Sequence, residues 1–219
     1  MRHLLTGAGS GIGAALADML HARGDQLVLV ARDPARAEWL QSRYLGADII
    51  VADLAGALEP AAWLPIESLS SLVHSAGIVR LGPLADATAG DLAEQFAVNA
   101  MAPALLTAWA LPALRRGRGS VVFVNSGAGL SAHPGWGAYA ASKFAVRAIA
   151  DSLRAEEAAH GVRVTSVYPG RTATPMQQAV KAAEGEPYDA DVLIQPETVA
   201  RLILQVIDLP ADATTPEIV

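Results

Sequence analysis

Four side chains able to do chemistry stand in order along the chain: the amide of Asn99, the hydroxyl of Ser126, the phenol of Tyr139 and the amine of Lys143. Tyr139 and Lys143 are four residues apart near the start of a long helical pattern, so they share one face, one turn apart. A phenol with an ordinary pKa of roughly 10 exchanges its proton poorly near neutrality. A lysine cation one turn away favours the phenolate and lowers that value. The pair then suits general acid–base work on an oxygen whose charge changes during reaction. Ser126, thirteen residues before Tyr139 at the end of an apolar run, offers that same oxygen a hydrogen-bond donor. Taken alone, Tyr-x-x-x-Lys reads equally as a surface pair.

A second motif opens the chain. Thr6-Gly7-Ala8-Gly9-Ser10-Gly11-Ile12-Gly13 follows an apolar run and precedes an amphipathic helical pattern. Glycines there permit a tight turn, let backbone N–H groups approach a pyrophosphate and aim a helix N-terminus at its charge. The competing reading is a merely flexible turn; the placement between strand and helix favours a nucleotide site.

These groups need a scaffold, and short aliphatic runs alternating with longer helical patterns supply one. Strands are expected at 2–6, 26–31, 48–52, 71–75, 120–125, 163–168 and 215–219, and helices near 12–23, 34–43, 88–114, 137–160 and 196–209. The strands read as near-continuous Val, Leu and Ile, as expected when helices cover both faces of a parallel sheet. The expected fold is therefore a single α/β domain over residues 1–219, a doubly wound Rossmann sheet of about seven strands. Residues 174–195 are the least regular part and read as a loop or short helices, a lid over the carboxyl edge where such sheets bind ligands.

Composition narrows the partners. The chain has 219 residues, 52% hydrophobic, 17% charged and 5% aromatic, with no cysteine. A net charge of -6 is a poor match for nucleic acid. Without thiols, and with five histidines lacking ligand spacing, no metal site is expected. Residues 97–114 carry no charge over about the length of a membrane span. They include Asn99, Pro103, Thr107 and Pro112 and precede three arginines, so a helix buried in the protein or at a subunit contact is expected, not a membrane segment. Met1 leads directly into the Gly-rich turn and not into a basic region with a long apolar run, and the expected location is cytoplasmic.

The spacing T-G-x-x-x-G-x-G, followed by Asn99, Ser126, Tyr139 and Lys143, resembles the short-chain dehydrogenase/reductase family over nearly the whole chain. The resemblance implies a nicotinamide cofactor laid along Gly7, Gly9, Ser10, Gly11, Ile12 and Gly13. It implies hydride exchange with a carbonyl or alcohol, Tyr139 serving as general acid in reduction and general base in oxidation. Lys143 would tune Tyr139 and bond the nicotinamide ribose, Ser126 would polarise the carbonyl, and Asn99 would hold a water leading from Lys143 to solvent. A helix amide satisfied by backbone is the plainer reading of Asn99.

Other positions carry the resemblance less strictly. Where NAD-preferring members place an acid at the end of the second strand, this chain has Ala31-Arg32, which favours NADP(H), with NAD(H) possible. Asp33 is expected to cap the helix that begins at Pro34. Placed near the ribose instead, it would support an NAD-linked dehydrogenase of a hydroxylated metabolite. Asp53 and Leu54 resemble the pair that contacts adenine. Ser75, Ala76 and Gly77 follow His74 where the family has Asn-Asn-Ala-Gly, so the bracing amides are missing and His74 reads as a packed residue with one satisfied nitrogen. Pro169, Gly170, Thr172 and Thr174 resemble the segment against the nicotinamide, with Thr174 on its carboxamide.

Ile78, Leu130, His133, Trp136, Arg171 and Met176 fall on segments that border substrate in the family. They suggest a small or medium apolar carbonyl or alcohol, with Arg171 either a carboxylate ligand or a solvent-facing charge. The resemblance also implies a homo-oligomer through the helices around 97–114 and 137–160. A nicotinamide-binding redox sensor without turnover is the competing class.

Overall fold

Aliphatic runs become strands here because both of their faces are covered. Arg2–Thr6 (β1), Gln26–Ala31 (β2), Asp48–Val51 (β3), Ser71–His74 (β4), Ser120–Val124 (β5), Arg163–Val167 (β6) and Glu217–Ile218 (β7) form one sheet. Its order is β3-β2-β1-β4-β5-β6-β7, and every pairing is parallel. The computed structural model describes residues 1–56, 58 and 65–219. Four strands, β3 to β6, end one residue before their expected limits. Ala52, Ser75, Asn125 and Tyr168 already leave the sheet at its carboxyl edge.

The helices are Gly11–Ala22 (α1), Pro34–Arg43 (α2), Ala89–Phe96 (α3), Ala102–Gly117 (α4), Gly137–Glu157 (α5), Pro175–Glu184 (α6) and Pro196–Ile207 (α7). Leu16 and Leu20 of α1 and Ile203 of α7 pack with Leu5, Leu29 and Val122 on one side of the sheet. Leu106 and Leu114 of α4 and Leu153 of α5 pack with Leu4, Leu72, Val121 and Phe123 on the other. Successive residues such as Leu4 and Leu5 thus enter different cores, the two-residue period of a strand buried on both faces.

The expected helix over 88–114 is interrupted. Between α3 and α4, Ala97–Met101 form a π-helical turn. Pro103 follows in the first turn of α4 and has no N–H to offer the Asn99 carbonyl, so the hydrogen-bond ladder widens at this point. The whole stretch is long and apolar enough, by composition, to cross a membrane. In this fold its Leu106, Ala110, Ala113 and Leu114 are core residues.

Candidate active site

The carboxyl ends of β1, β4, β5 and β6 open onto one cleft of about 790 Å³. Thr6 at the end of β1 organises its first wall: the Oγ1 atom accepts hydrogen bonds from the N–H groups of Ser75 and Ala76, at 3.2 and 3.1 Å. That hydroxyl braces the turn after β4 in this chain. Gly7 has φ +74°, and a Cβ there would lie 2.7 Å from the Ala76 nitrogen, so only glycine fits. Ser10 is the N-cap of α1 but makes no side-chain capping bond. Among the described residues no side chain accepts from the first-turn N–H groups of α1, and Ser10, Gly11 and Ile12 border the cleft. Unpaired helix-end donors beside a glycine turn fit a pyrophosphate.

The end of β2 is more open. Arg32 has a side chain 75% exposed, and its Nε lies 3.3 Å from Asp33. Asp33 caps α2, accepting from the Arg36 N–H at 2.8 Å ahead of Pro34 at the first helical position. Its carboxylate is thereby engaged by the helix and by Arg32. Asp53 likewise serves its own turn, accepting from the Ala55 N–H at 3.0 Å. Leu54 borders a small gap with Thr6, His74 and Ala76, away from the main cleft. Arg32 and Asp53 do not border the main cleft either.

Tyr139 and Lys143, in the first two turns of α5, both border the cleft while remaining 6% and 5% exposed. Lys143 Nζ donates to the Val124 carbonyl at 3.2 Å and lies 5.8 Å from the Tyr139 ring centroid. Ser126 leaves β5 facing the phenol, and its Oγ also accepts from the Ala128 N–H at 3.1 Å. Burial holds the Tyr139 phenol above its ordinary pKa, and the neighbouring Ser126 hydroxyl only partly opposes this. Burial also pulls the Lys143 amine down to about 8. Loss of solvation thus disfavours charge on both groups, against which Lys143 Nζ stands beside the Tyr139 ring.

Asn99 stands 2% exposed in the π-helical turn and outside the cleft lining. Its Oδ1 accepts from the Ile78 N–H, and its Nδ2 donates to the Ile78 carbonyl, both at 2.9 Å. The Nδ2 atom also donates to Ser142 Oγ at 3.0 Å, and Ser142 donates to the Tyr139 carbonyl at 2.7 Å. One amide thus ties the segment after β4 to the start of α5. Gly77 lies against both, its Cβ position 3.2 Å from Asn99 Oδ1 and 3.8 Å from Lys143 Nζ. Asn125 adds a second tie, donating to the Lys143 carbonyl at 3.2 Å. His74 bonds Thr107 Oγ1 through Nε2 at 2.8 Å and stacks on Phe123 with centroids 4.9 Å apart. Among the described residues its Nδ1 has no hydrogen-bond partner, and burial keeps the ring neutral with a pKa of about 3.

The opposite wall follows β6. Pro169, Gly170, Thr172 and Thr174 border the cleft. Thr172 donates to the Gly170 carbonyl at 3.0 Å, and Thr174 caps α6 by accepting from the Gln177 N–H at 3.2 Å. Residues 174–195 are more ordered than their sequence suggests. They contain α6, and their two ends meet through the Ala173 N–H to Ile194 carbonyl bond of 2.8 Å and the Ile194 N–H to Arg171 carbonyl bond of 3.1 Å. Arg171 forms a two-pronged bond to Glu184 at 2.6 and 2.7 Å, so its guanidinium is engaged within the protein. His133, Trp136, Arg171 and Met176 border the cleft; Ile78 and Leu130 do not.

Three participants escaped the sequence reading. Arg36 lies along Gly9 of the glycine turn, Ser142 links Asn99 to Tyr139, and Asn125 holds Lys143. Helical spacing from the Asp33 cap would have placed Arg36 on the turn side of α2, and Ser142 sits directly before Lys143.

Residues 2–185 match the family model described as short chain dehydrogenase. The chain is 33% identical over 212 residues to the uncharacterized short-chain type dehydrogenase/reductase y4eK of Sinorhizobium fredii, covering 94% of this chain and 85% of that one. It is 34% identical to the glycine betaine reductase of Emericella nidulans over 98% of its own length, which is 18% of that longer protein. Among solved structures it is similar to the closed form of serine dehydrogenase complexed with NADP+, with TM-score 0.88 and 25% identity over 100% of this chain and 93% of the other.

Proposed function

The chain belongs to the short-chain dehydrogenase family, and from that premise we propose that it interconverts a small or medium carbonyl compound and its alcohol using NADP(H). The observation that carries this reading is the buried grouping of Ser126, Tyr139 and Lys143 at the wall of a cleft whose other end is a glycine turn. A bound nicotinamide dinucleotide supplies or accepts the hydride; the N-terminus of α1, Lys143 and the 169–174 segment would hold it.

Tyr139 carries the proton. In reduction its phenol donates to the substrate oxygen as charge builds there, and Ser126 donates a second hydrogen bond to that oxygen. In oxidation the phenolate takes the alcohol proton back. Burial keeps the phenol protonated, which suits the reductive direction near neutrality. Lys143, held between the Val124 carbonyl and the Tyr139 ring, places a positive charge beside the phenolate whenever it is protonated. Asn99 positions both groups through Ser142 and does not touch the reacting atoms.

Ala31-Arg32 at the end of β2, with Asp33 spent as a helix cap, supports NADP(H) over NAD(H). Val79, Trp136, Met176 and Val180 line the substrate end of the cleft, consistent with an apolar carbonyl compound. Residues 174–195 act as its lid. Met101, Leu105 and Phe144, 58%, 47% and 41% exposed on the π-turn, α4 and α5, support a homo-oligomer built on these helices. A panel of aldehydes and ketones followed by NADPH absorbance tests the reading. Oxidation of NADPH by at least one apolar member is expected, and no turnover with either NADPH or NADH would overturn it.

A further inference from the structure

One face of α6 looks into the cleft. Gln177, Val180 and Glu184 all border it, at the i, i+3 and i+7 spacing of a single helical face. Val180 belongs to the apolar substrate end, and Gln177 stands one turn nearer the start of the helix. The Gln177 backbone serves the cap, its N–H donating to Thr174 Oγ1 at 3.2 Å. The side chain does not. Gln177 is 8% exposed, and among the described residues its Nε2 has no hydrogen-bond partner. A buried donor left unmet carries a desolvation penalty, and native folds pair almost all such groups. Met or Leu would fill a similar volume in this wall without that penalty, so the amide fits a partner that enters from the cleft.

The charges on the same wall narrow what that partner can be. Arg171 and Glu184 both border the cleft and bond each other in a two-pronged fork at 2.6 and 2.7 Å. The guanidinium charge is thereby balanced within the protein. A substrate carboxylate would have to displace Glu184 from a charge-assisted pair whose geometry is already favourable. An amide N–H group carries no net charge, and beside a neutralised pair it suits an uncharged acceptor oxygen.

We propose that Gln177 is a specificity-determining residue whose Nε2 donates to a second, uncharged carbonyl oxygen of the substrate. The substrate is then a dicarbonyl compound, not a simple ketone or a keto acid. This rests on the carbonyl-reduction reading above and deepens it: Val79, Trp136, Met176 and Val180 take the hydrocarbon, and Gln177 takes the oxygen that is not reduced.

Steady-state NADPH oxidation with 2-hexanone, the hexanediones that add a second ketone at carbon 3, 4 or 5, and 5-oxohexanoate tests the proposal. At least one dione should be preferred to both the monoketone and the keto acid in kcat/KM. In Gln177→Met, which keeps length and removes the donor, the ratio of dione to monoketone should fall roughly 10- to 100-fold. Comparing the ratio between the two proteins cancels the greater intrinsic reactivity of a dione. Scanning calorimetry should show the Tm of Gln177→Met equal or higher, since an unmet buried donor has gone. A fall in Tm of several degrees would mean that the amide is bonded within the fold, and would overturn the proposal. An unchanged ratio overturns it with the carbonyl-reduction reading intact, as does a preference for the keto acid that Arg171→Ala abolishes. Equal losses on all substrates with weaker NADPH binding would assign Gln177 to the cofactor and also overturn it. If the unmodified protein reduces none of these compounds, the proposal fails together with the reading it rests on.

Discussion

Asn99→Ala separates a positioning amide from a reacting one. The substitution removes both bonds to Ile78 and the bond to Ser142, while Ser142 keeps its own bond to the Tyr139 carbonyl. Two backbone groups of Ile78 lose their partners in a part-buried setting. At about 1–3 kcal/mol for each polar group left unsatisfied, the expected destabilisation is roughly 2–6 kcal/mol, the lower part of the range applying where water reaches Ile78. For a chain of this size that corresponds to a fall in Tm of roughly 4–24 °C. Asn99→Asp should not rescue it, because a carboxylate oxygen would then oppose the Ile78 carbonyl. Scanning calorimetry reads the stability, and turnover at 25 °C reads the loosened tie to α5. A variant within about 2 °C of the unmodified protein and with unchanged kcat would refute the proposed linkage.

The buried histidines predict a pH dependence of stability. Burial lowers His3 to about 4 and His74 to about 3, against an ordinary value of 6.5. Both are neutral when folded, and the unfolded chain takes up their protons as pH falls below 6.5. Their contribution is complete above pH 6.5 and is lost progressively toward pH 4 and 3, at up to about 1.4 kcal/mol per pH unit for each. Urea melts should show clear loss between pH 7 and 5; identical midpoints would contradict the assignment. A second prediction concerns assembly: Leu105→Glu should shift the protein to smaller species in sedimentation, and an unchanged profile would exclude that face. A third concerns direction. Because burial raises Tyr139, kcat/KM for alcohol oxidation should climb with pH above neutrality, and a flat profile from pH 7 to 10 would count against a phenolate base.

What could be read from the chain depended on whether local spacing or tertiary approach set the outcome. The strands were legible because burial on both faces demands near-continuous aliphatic residues, and the sheet's seven strands lie where those runs are. The glycine turn and the Tyr139–Lys143 pair were legible because strand-to-helix geometry and helical period fix them locally. The π-turn was not, because it arises where Pro103 withholds a hydrogen bond from Asn99 inside an otherwise uniform apolar helix. The burial that pushes the Tyr139 phenol up and the Lys143 amine down was not legible, because their spacing shows proximity but not burial. Arg36 escaped notice because its contact with Gly9 joins two elements across the sheet edge. His74 was legible as a packed residue, yet its partners Thr107 and Phe123 come from distant segments.

The central claim is that Tyr139 passes a proton to or from the substrate oxygen in step with the hydride. Single-turnover NADPH oxidation by Tyr139→Phe, using the best carbonyl substrate of the panel, tests it most directly. With NADPH affinity and Tm close to those of the unmodified protein, the hydride-transfer rate should fall about 100- to 10,000-fold. A variant that binds NADPH normally and reduces the carbonyl at the unmodified rate would contradict the account.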